Sequence, residues 1–145
     1  MNVQVPAGQA GWSMRPEARD PAHLWDMLQA SRRILRYAEG TSLEDVRGNE
    51  VLADAIIHRL TVLGRAAARI SPSLQERDTD VPWERIGELH SLALHPASGA
   101  LVDFAWKTAT EDIPRLVPRL EALLPPGFEG DSGAFETTSS EFGNP

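Results

Sequence analysis

The sequence predicts an all-α, up-and-down bundle of four main helices plus short turns. Three observations carry that prediction. Apolar residues recur at three- and four-residue steps through most of residues 19–125. Capping residues and glycine or proline stops punctuate those runs at helix-length intervals. No stretch alternates apolar and polar residues as a half-buried strand would.

Asp20-Pro21 opens the first helix as an N-cap followed by proline at the first helical position, where a missing N–H does no harm. Leu24, Met27, Leu28, Ile34, Leu35 and Ala38 then follow at helical spacing, and Gly40 supplies the stop. Ser42-x-x-Asp45 is a capping box that opens one or two short turns. Asn49 is placed to cap a second long helix, whose stripe is Ile56, Leu60, Leu63, Ala67 and Ile70. Gly64, in the middle of that helix, costs up to ~1 kcal/mol of propensity, so close approach of another segment is its expected reason. Ser71-Pro72 ends the helix, and residues 75–80 read as a polar loop.

Pro82 suits the first turn of a third helix, with Trp83, Ile86, Leu89 and Ala93 on one side. Pro96 disfavours helical geometry for its predecessor, so this helix should stop near Leu94 or His95. The last helix is expected from about Leu101 to Leu124. It buries Ala105, Trp106, Ala109, Ile113, Leu116, Leu120 and Leu123, and Pro114 and Pro118 should bend it. So much apolar face around so few interior positions predicts self-association as a two-fold homodimer.

The 145 residues suit one domain. Residues 1–18 read as a flexible N-terminal extension and 19–125 as the helical domain. Residues 126–145 form an acidic Gly/Ser/Thr tail that cannot bury enough apolar surface to order itself, although Phe128, Phe135 and Phe142 recur in it every seven residues. The absence of cysteine excludes a disulfide framework, a thiolate metal site and a cysteine nucleophile. No apolar run is long enough to span a membrane, and the opening residues lack the pattern of a secretory signal, so a cytoplasmic location without membrane contact is expected. The net charge of −7 argues against sequence-independent binding to a polyanion, while leaving room for a local basic groove. Thirteen of the 14 basic residues are arginine, with Lys107 the exception. Arg32, Arg33, Arg36, Arg65 and Arg69 are candidates to line such a groove, or simply the solvated faces of amphipathic helices.

His58, His90, His95 and Glu88 fall in no metal-ligand spacing, so no metal site is expected. No Gly-rich phosphate loop or Gly-x-Ser-x-Gly elbow occurs. The chemistry left over is concentrated in residues 86–96, IGELHSLALHP. On an α-helix, His90 and His95 would sit about 140° apart around the axis and could not share a face. A two-fold dimer packing this end against its mate could gather four imidazoles into one cleft. Such imidazoles can serve as general base on a ribose 2′-hydroxyl and general acid on the leaving 5′-oxygen. As a purely structural alternative, both are exposed polar residues at a helix end.

Several segments, in order, carry a resemblance. These are Arg19-Asp20 with Leu24-x-Asp26-Met27-Leu28, and Tyr37-x-Glu39-Gly40. Next come Asp54-Ala55-Ile56-Ile57-x-Arg59-Leu60 and Leu63-Gly64-x-Ala66-Ala67-x-Arg69, then Pro82-Trp83-x-x-Ile86 and Trp106-x-x-x-Thr110-Glu111-Asp112-Ile113-Pro114. Together they resemble the HepT-like HEPN proteins, toxin halves of bacterial toxin–antitoxin pairs whose partner is a small MNT-type nucleotidyltransferase antitoxin. The resemblance implies a dimeric, metal-independent endoribonuclease that needs no cofactor. In that family an arginine stabilises phosphate charge, and a histidine four to six residues later activates the ribose hydroxyl. A tyrosine two positions further on accepts AMP from the antitoxin in a subset of members.

By that resemblance His95 takes the histidine position and His90 stands at the arginine position, making these two the candidate catalytic residues. Ser91 replaces the polar residue that follows the arginine, Ala97 replaces the tyrosine, and Leu101 sits where an aspartate would cap the last helix. Arg65 stands where glutamate is expected. Ser91, Arg65 and Arg69 are the candidate RNA- or nucleotide-binding residues. A histidine offers phosphate one donor and is largely neutral near pH 7, so weakened or altered cleavage is expected. The alternative is a catalytically inactive HEPN module that dimerises and binds a nucleotidyltransferase antitoxin or a nucleotide.

Overall fold

The computed structural model describes residues 15–95 and 98–130. Among them every regular element is helical: α1 (Asp20–Ala38), α2 (Leu43–Arg47), α3 (Glu50–Ala67), α4 (Pro72–Arg77), α5 (Trp83–Gly87), α6 (Gly99–Lys107) and α7 (Ile113–Leu123). A 3-10 turn, Pro16–Arg19, precedes α1, and a longer 3-10 segment, Glu88–Leu94, continues α5. A π-turn, Thr108–Asp112, joins α6 to α7.

The long helices α3 and α7 both run antiparallel to α1. Asp20 at the start of α1 meets Ser71 just beyond α3, so α1 and α3 are antiparallel. Arg32 pairs with Glu121 at 3.0 Å and Trp25 meets Phe128, which sets α7 antiparallel to α1. Between them lies one core, with Leu24, Met27, Leu28 and Ile34 of α1 against Ile56, Leu60 and Leu63 of α3 and Ile113, Leu116 and Leu120 of α7. Most residues of the expected stripes are buried, but Leu35, Ala38, Trp106 and Leu123 are only partly covered, and Ala93, expected on the inner side of the third helix, is exposed.

Local signals account for most boundaries. Gly40 lies at φ +69°, the left-handed region that glycine enters without penalty, directly after α1. Ser42 and Asp45 form the reciprocal capping box of α2, and the Asn49 side chain accepts from the Leu52 amide to cap α3.

Several boundaries differ from expectation. Asp20 is not an N-cap, because Arg19 holds that position without a side-chain bond. Its buried carboxylate instead accepts from the Ser71 amide at 2.8 Å and the Ser71 hydroxyl at 2.5 Å, tying the start of α1 to the end of α3. Ser71 caps α4 as well, so a six-residue helix occupies ground read as loop. The third helix keeps α geometry only to Gly87 and then tightens, while His95 before Pro96 is extended at φ −87° and ψ 147°. Ser98, rather than the residue at Leu101, caps the last helix by accepting from the Leu101 amide. A π-turn lies immediately ahead of Pro114, which has no N–H to donate, whereas α7 continues in α geometry through Pro118. Glu17 accepts from Ser73, and Phe128 packs edge-on against Trp25 with ring centres 6.2 Å apart. Residues 1–14, 96–97 and 131–145 lie outside the described residues, and with them Ala97, Phe135 and Phe142.

Candidate functional site: the segment after α5

The candidate site is built on the point where α3 and the 3-10 segment touch. A Cβ at Gly64 would lie 2.8 Å from the Leu89 carbonyl carbon and 2.9 Å from the Ile86 carbonyl oxygen, and closer still to the His90 amide nitrogen. Only a residue without a side chain lets these backbones meet, which is the close approach that Gly64 implied. The main chain at His90 is thereby pressed against α3, while its side chain is exposed.

Two polar side chains of the 3-10 segment reach back three residues. His90 Nδ1 lies 2.7 Å from the Gly87 carbonyl, and Ser91 Oγ donates to the Glu88 carbonyl at 3.2 Å. His95 follows the last turn, exposed, with no ring hydrogen bond to any described residue. The expected 140° separation on one α-helix does not apply, because His90 rides on a 3-10 turn and His95 on extended backbone.

Beside this segment runs a groove of about 780 Å³ between α5 with its 3-10 continuation and α6–α7. Its floor is apolar, including Leu63, Ile86, Leu89 and Ile113, and Ser91 and the half-exposed Phe104 contribute to its walls. Three arginines reach it. Arg85 pairs with Asp112 at 2.8 Å and Arg119 with Asp80 at 2.6 Å, whereas Arg115 makes no ion pair with a described residue. Sequence reasoning missed all three. Arg115 and Arg119, four residues apart and so on one face of the last helix, were the available signal.

Of the predicted site residues, Ser91 alone lines the groove; His90 precedes it in the chain. Arg65 and Arg69 are exposed and follow Gly64 and Ala68, which pack on the His90 and Gly87 backbone, but neither lines the groove. Arg32 and Arg33 belong to α1, no residue of which reaches it. The Tyr37 phenol of α1 titrates below its ordinary range because the Arg59 and then the Arg33 guanidinium stand at its hydroxyl. Among the described residues no three His, Asp or Glu side chains gather as a metal site, and no helix is long and apolar enough to cross a membrane.

The family model "Ribonuclease HepT-like" matches residues 27–123, a span that includes α3, the Gly64 contact and both histidines. The chain is 24% identical over 102 residues to "Putative RNase MJ1380" of Methanocaldococcus jannaschii, covering 70% of this chain and 94% of that protein. It is 27% identical over 101 residues to "Probable ribonuclease HepT" of Thermococcus cleftensis, covering 70% and 92%. No solved structure matches it at a significant level. With an all-helical bundle and a family match over most of that bundle, the chain belongs to the HepT-like ribonuclease family.

Proposed function

We propose that this protein is a toxin-type endoribonuclease of a toxin–antitoxin pair, acting as a homodimer in the cytoplasm and neutralised by an MNT-type nucleotidyltransferase antitoxin. The observation that carries the reading is the placement of two exposed imidazoles, His90 and His95, on and just beyond one short segment of a HepT-like bundle. Neighbouring apolar surface supports the dimer: Leu94, beside His95, is 83% exposed, and Phe104 on the groove wall is 47% exposed. A mate covering these residues would bring its own histidines to the same cleft.

Cleavage would use the ribose 2′-hydroxyl as nucleophile, one imidazole removing its proton and another protonating the departing 5′-oxygen. Arg115 has no ion pair with a described residue and is the groove cation free to meet phosphate, while Ser91 offers a neutral donor. With a histidine at position 90 in place of a permanently charged fork, the rate should fall about 10²–10³-fold below that of an arginine-bearing relative.

The test is RNA cleavage by the purified chain beside His95→Ala and His90→Ala. Loss of cleavage in His95→Ala supports the enzyme, and His90→Arg should raise the rate. Identical background from all variants would instead indicate a binding module that has given up catalysis.

A further inference from the structure

We infer that Arg33, Tyr37 and Arg59 form a binding site for a terminal phosphate group, on the face where α1 packs against α3 and apart from the groove after α5. The inference does not depend on the ribonuclease reading. Arg33 and Tyr37 stand four residues apart and so lie on one face of α1. The Asp20–Ser71 tie fixes the antiparallel register, and with equal rise along both helices it sets Arg33 about level with Arg59 of α3. All three residues are half-buried, and the Tyr37 ring packs against the core, which holds its hydroxyl at the seam between the helices. Both guanidiniums stand at that hydroxyl, Arg59 foremost and Arg33 after it.

Charge is left over at this point. Neither Arg33 nor Arg59 makes an ion pair with a described residue, whereas Arg32, Arg47, Arg85 and Arg119 each meet a carboxylate. The charged groups acting on the Tyr37 phenol are these two cations, with no carboxylate among them. In a chain of net charge −7, two like charges gathered at one neutral oxygen are a local exception, and they repel each other. A bound anion relieves that repulsion and adds charge-assisted hydrogen bonds.

The donors narrow the chemistry of that anion. The phenol oxygen accepts from the arginines, which leaves its own O–H free to donate. Two planar guanidinium forks and one hydroxyl therefore converge as donors. A carboxylate offers two oxygens and a phosphodiester two unesterified ones, whereas a phosphate monoester offers three, one for each of these groups. The phosphate of a small ester and the 5′-phosphate end of an RNA share this chemistry.

The experiment titrates the full chain with inorganic phosphate, AMP and adenosine by calorimetry. In parallel, NMR follows the ring signals of Tyr37, the chain's only tyrosine. Phosphate and AMP should bind saturably and move those signals, and adenosine should do neither. Arg33→Gln and Arg59→Gln should each weaken binding about 10–100-fold, as loss of a hydrogen bond to a charged group does. Tyr37→Phe keeps the packed ring and should weaken it about 10-fold. Arg59→Lys retains the charge without the fork and should recover part of the loss. Arg77→Gln on α4 is the control and should change nothing. Uncleavable 2′-O-methyl oligonucleotides with 5′-phosphate or 5′-hydroxyl ends distinguish the sources. Tighter binding of the phosphorylated strand assigns the site to an RNA end, and equal binding assigns it to a small phosphate ester. Absence of saturable binding by phosphate and AMP, binding that leaves the Tyr37 signals unmoved, or unchanged affinity in both glutamine variants overturns the inference. Each of those results leaves the ribonuclease reading standing, and a chain that binds phosphate but spares RNA overturns that reading alone.

Discussion

Replacing Gly64 with alanine sets two effects of opposite sign against each other. Alanine is the better helix former by about 0.8–1 kcal/mol, so propensity alone predicts a more stable protein. Packing predicts the reverse. The new Cβ would sit 2.8 Å from the Leu89 carbonyl carbon and closer still to the His90 amide nitrogen, where ordinary contact begins at 3.4 Å, so α3 and the 3-10 segment must part by more than about 0.6 Å. All the opposing atoms are main chain, and no rotamer change relieves them. Overpacking that moves backbone costs about 1–3 kcal/mol, towards the upper end here, for a net loss of about 1–2 kcal/mol. At a urea m-value of about 1–3 kcal/mol per molar, the unfolding midpoint should fall by about 0.3–2 M with m unchanged. Gly87→Ala is the control, because its Cβ would meet Ala68 at an ordinary 4.0 Å and should leave the midpoint level or raise it. A midpoint that rises in Gly64→Ala would refute the close approach.

Asp20→Ala removes two hydrogen bonds to a buried carboxylate, each about 1.5–3 kcal/mol. Relief of its burial offsets part of that loss, and urea unfolding should show about 2–4 kcal/mol destabilisation, with Asp20→Asn near half. Ser31 is fully buried, and its hydroxyl has no partner among the described residues. Ser31→Ala should therefore stabilise by about 1 kcal/mol in the same assay. The Asp45 carboxyl is held below the usual aspartate range by the Ser42 amide, and the Asp103 carboxyl by the Arg47 guanidinium at 2.8 Å. Lowered folded-state values mean that this stabilisation is present above the ordinary aspartate pKa of about 3.9 and is lost as pH falls from there through the lowered values. Thermal unfolding below pH 4 should be less pH-dependent in Asp45→Asn and in Asp103→Asn than in the wild type.

The parts of the fold that were legible in the sequence are those set by neighbours along the chain. Gly40, the Ser42–Asp45 box and the Asn49 cap act within four residues, and the stripes of α1, α3 and α7 repeat long enough to declare their period. Asp20 was misread because its partner lies 51 residues away, and a carboxylate before proline satisfies the local rule for a cap equally well. The tightening after Gly87 escaped notice because seven residues are too few to separate a period of 3.6 from one of 3.0. The segment bearing His90 and Ser91 stood out by its residue types. The groove beside it did not, since Arg85, Arg115 and Arg119 come together only where α5 and α7 face each other across it.

The chemistry of the cut ends tests the central claim most directly. Purified protein should be incubated with a defined single-stranded RNA and excess chelator, and the products sequenced with methods that distinguish their termini. Imidazole-driven attack by the ribose hydroxyl predicts 2′,3′-cyclic phosphate and 5′-hydroxyl ends, formed at undiminished rate in chelator and lost in His95→Ala. Ends bearing 3′-hydroxyl and 5′-phosphate, or cleavage that survives in His95→Ala, would contradict it.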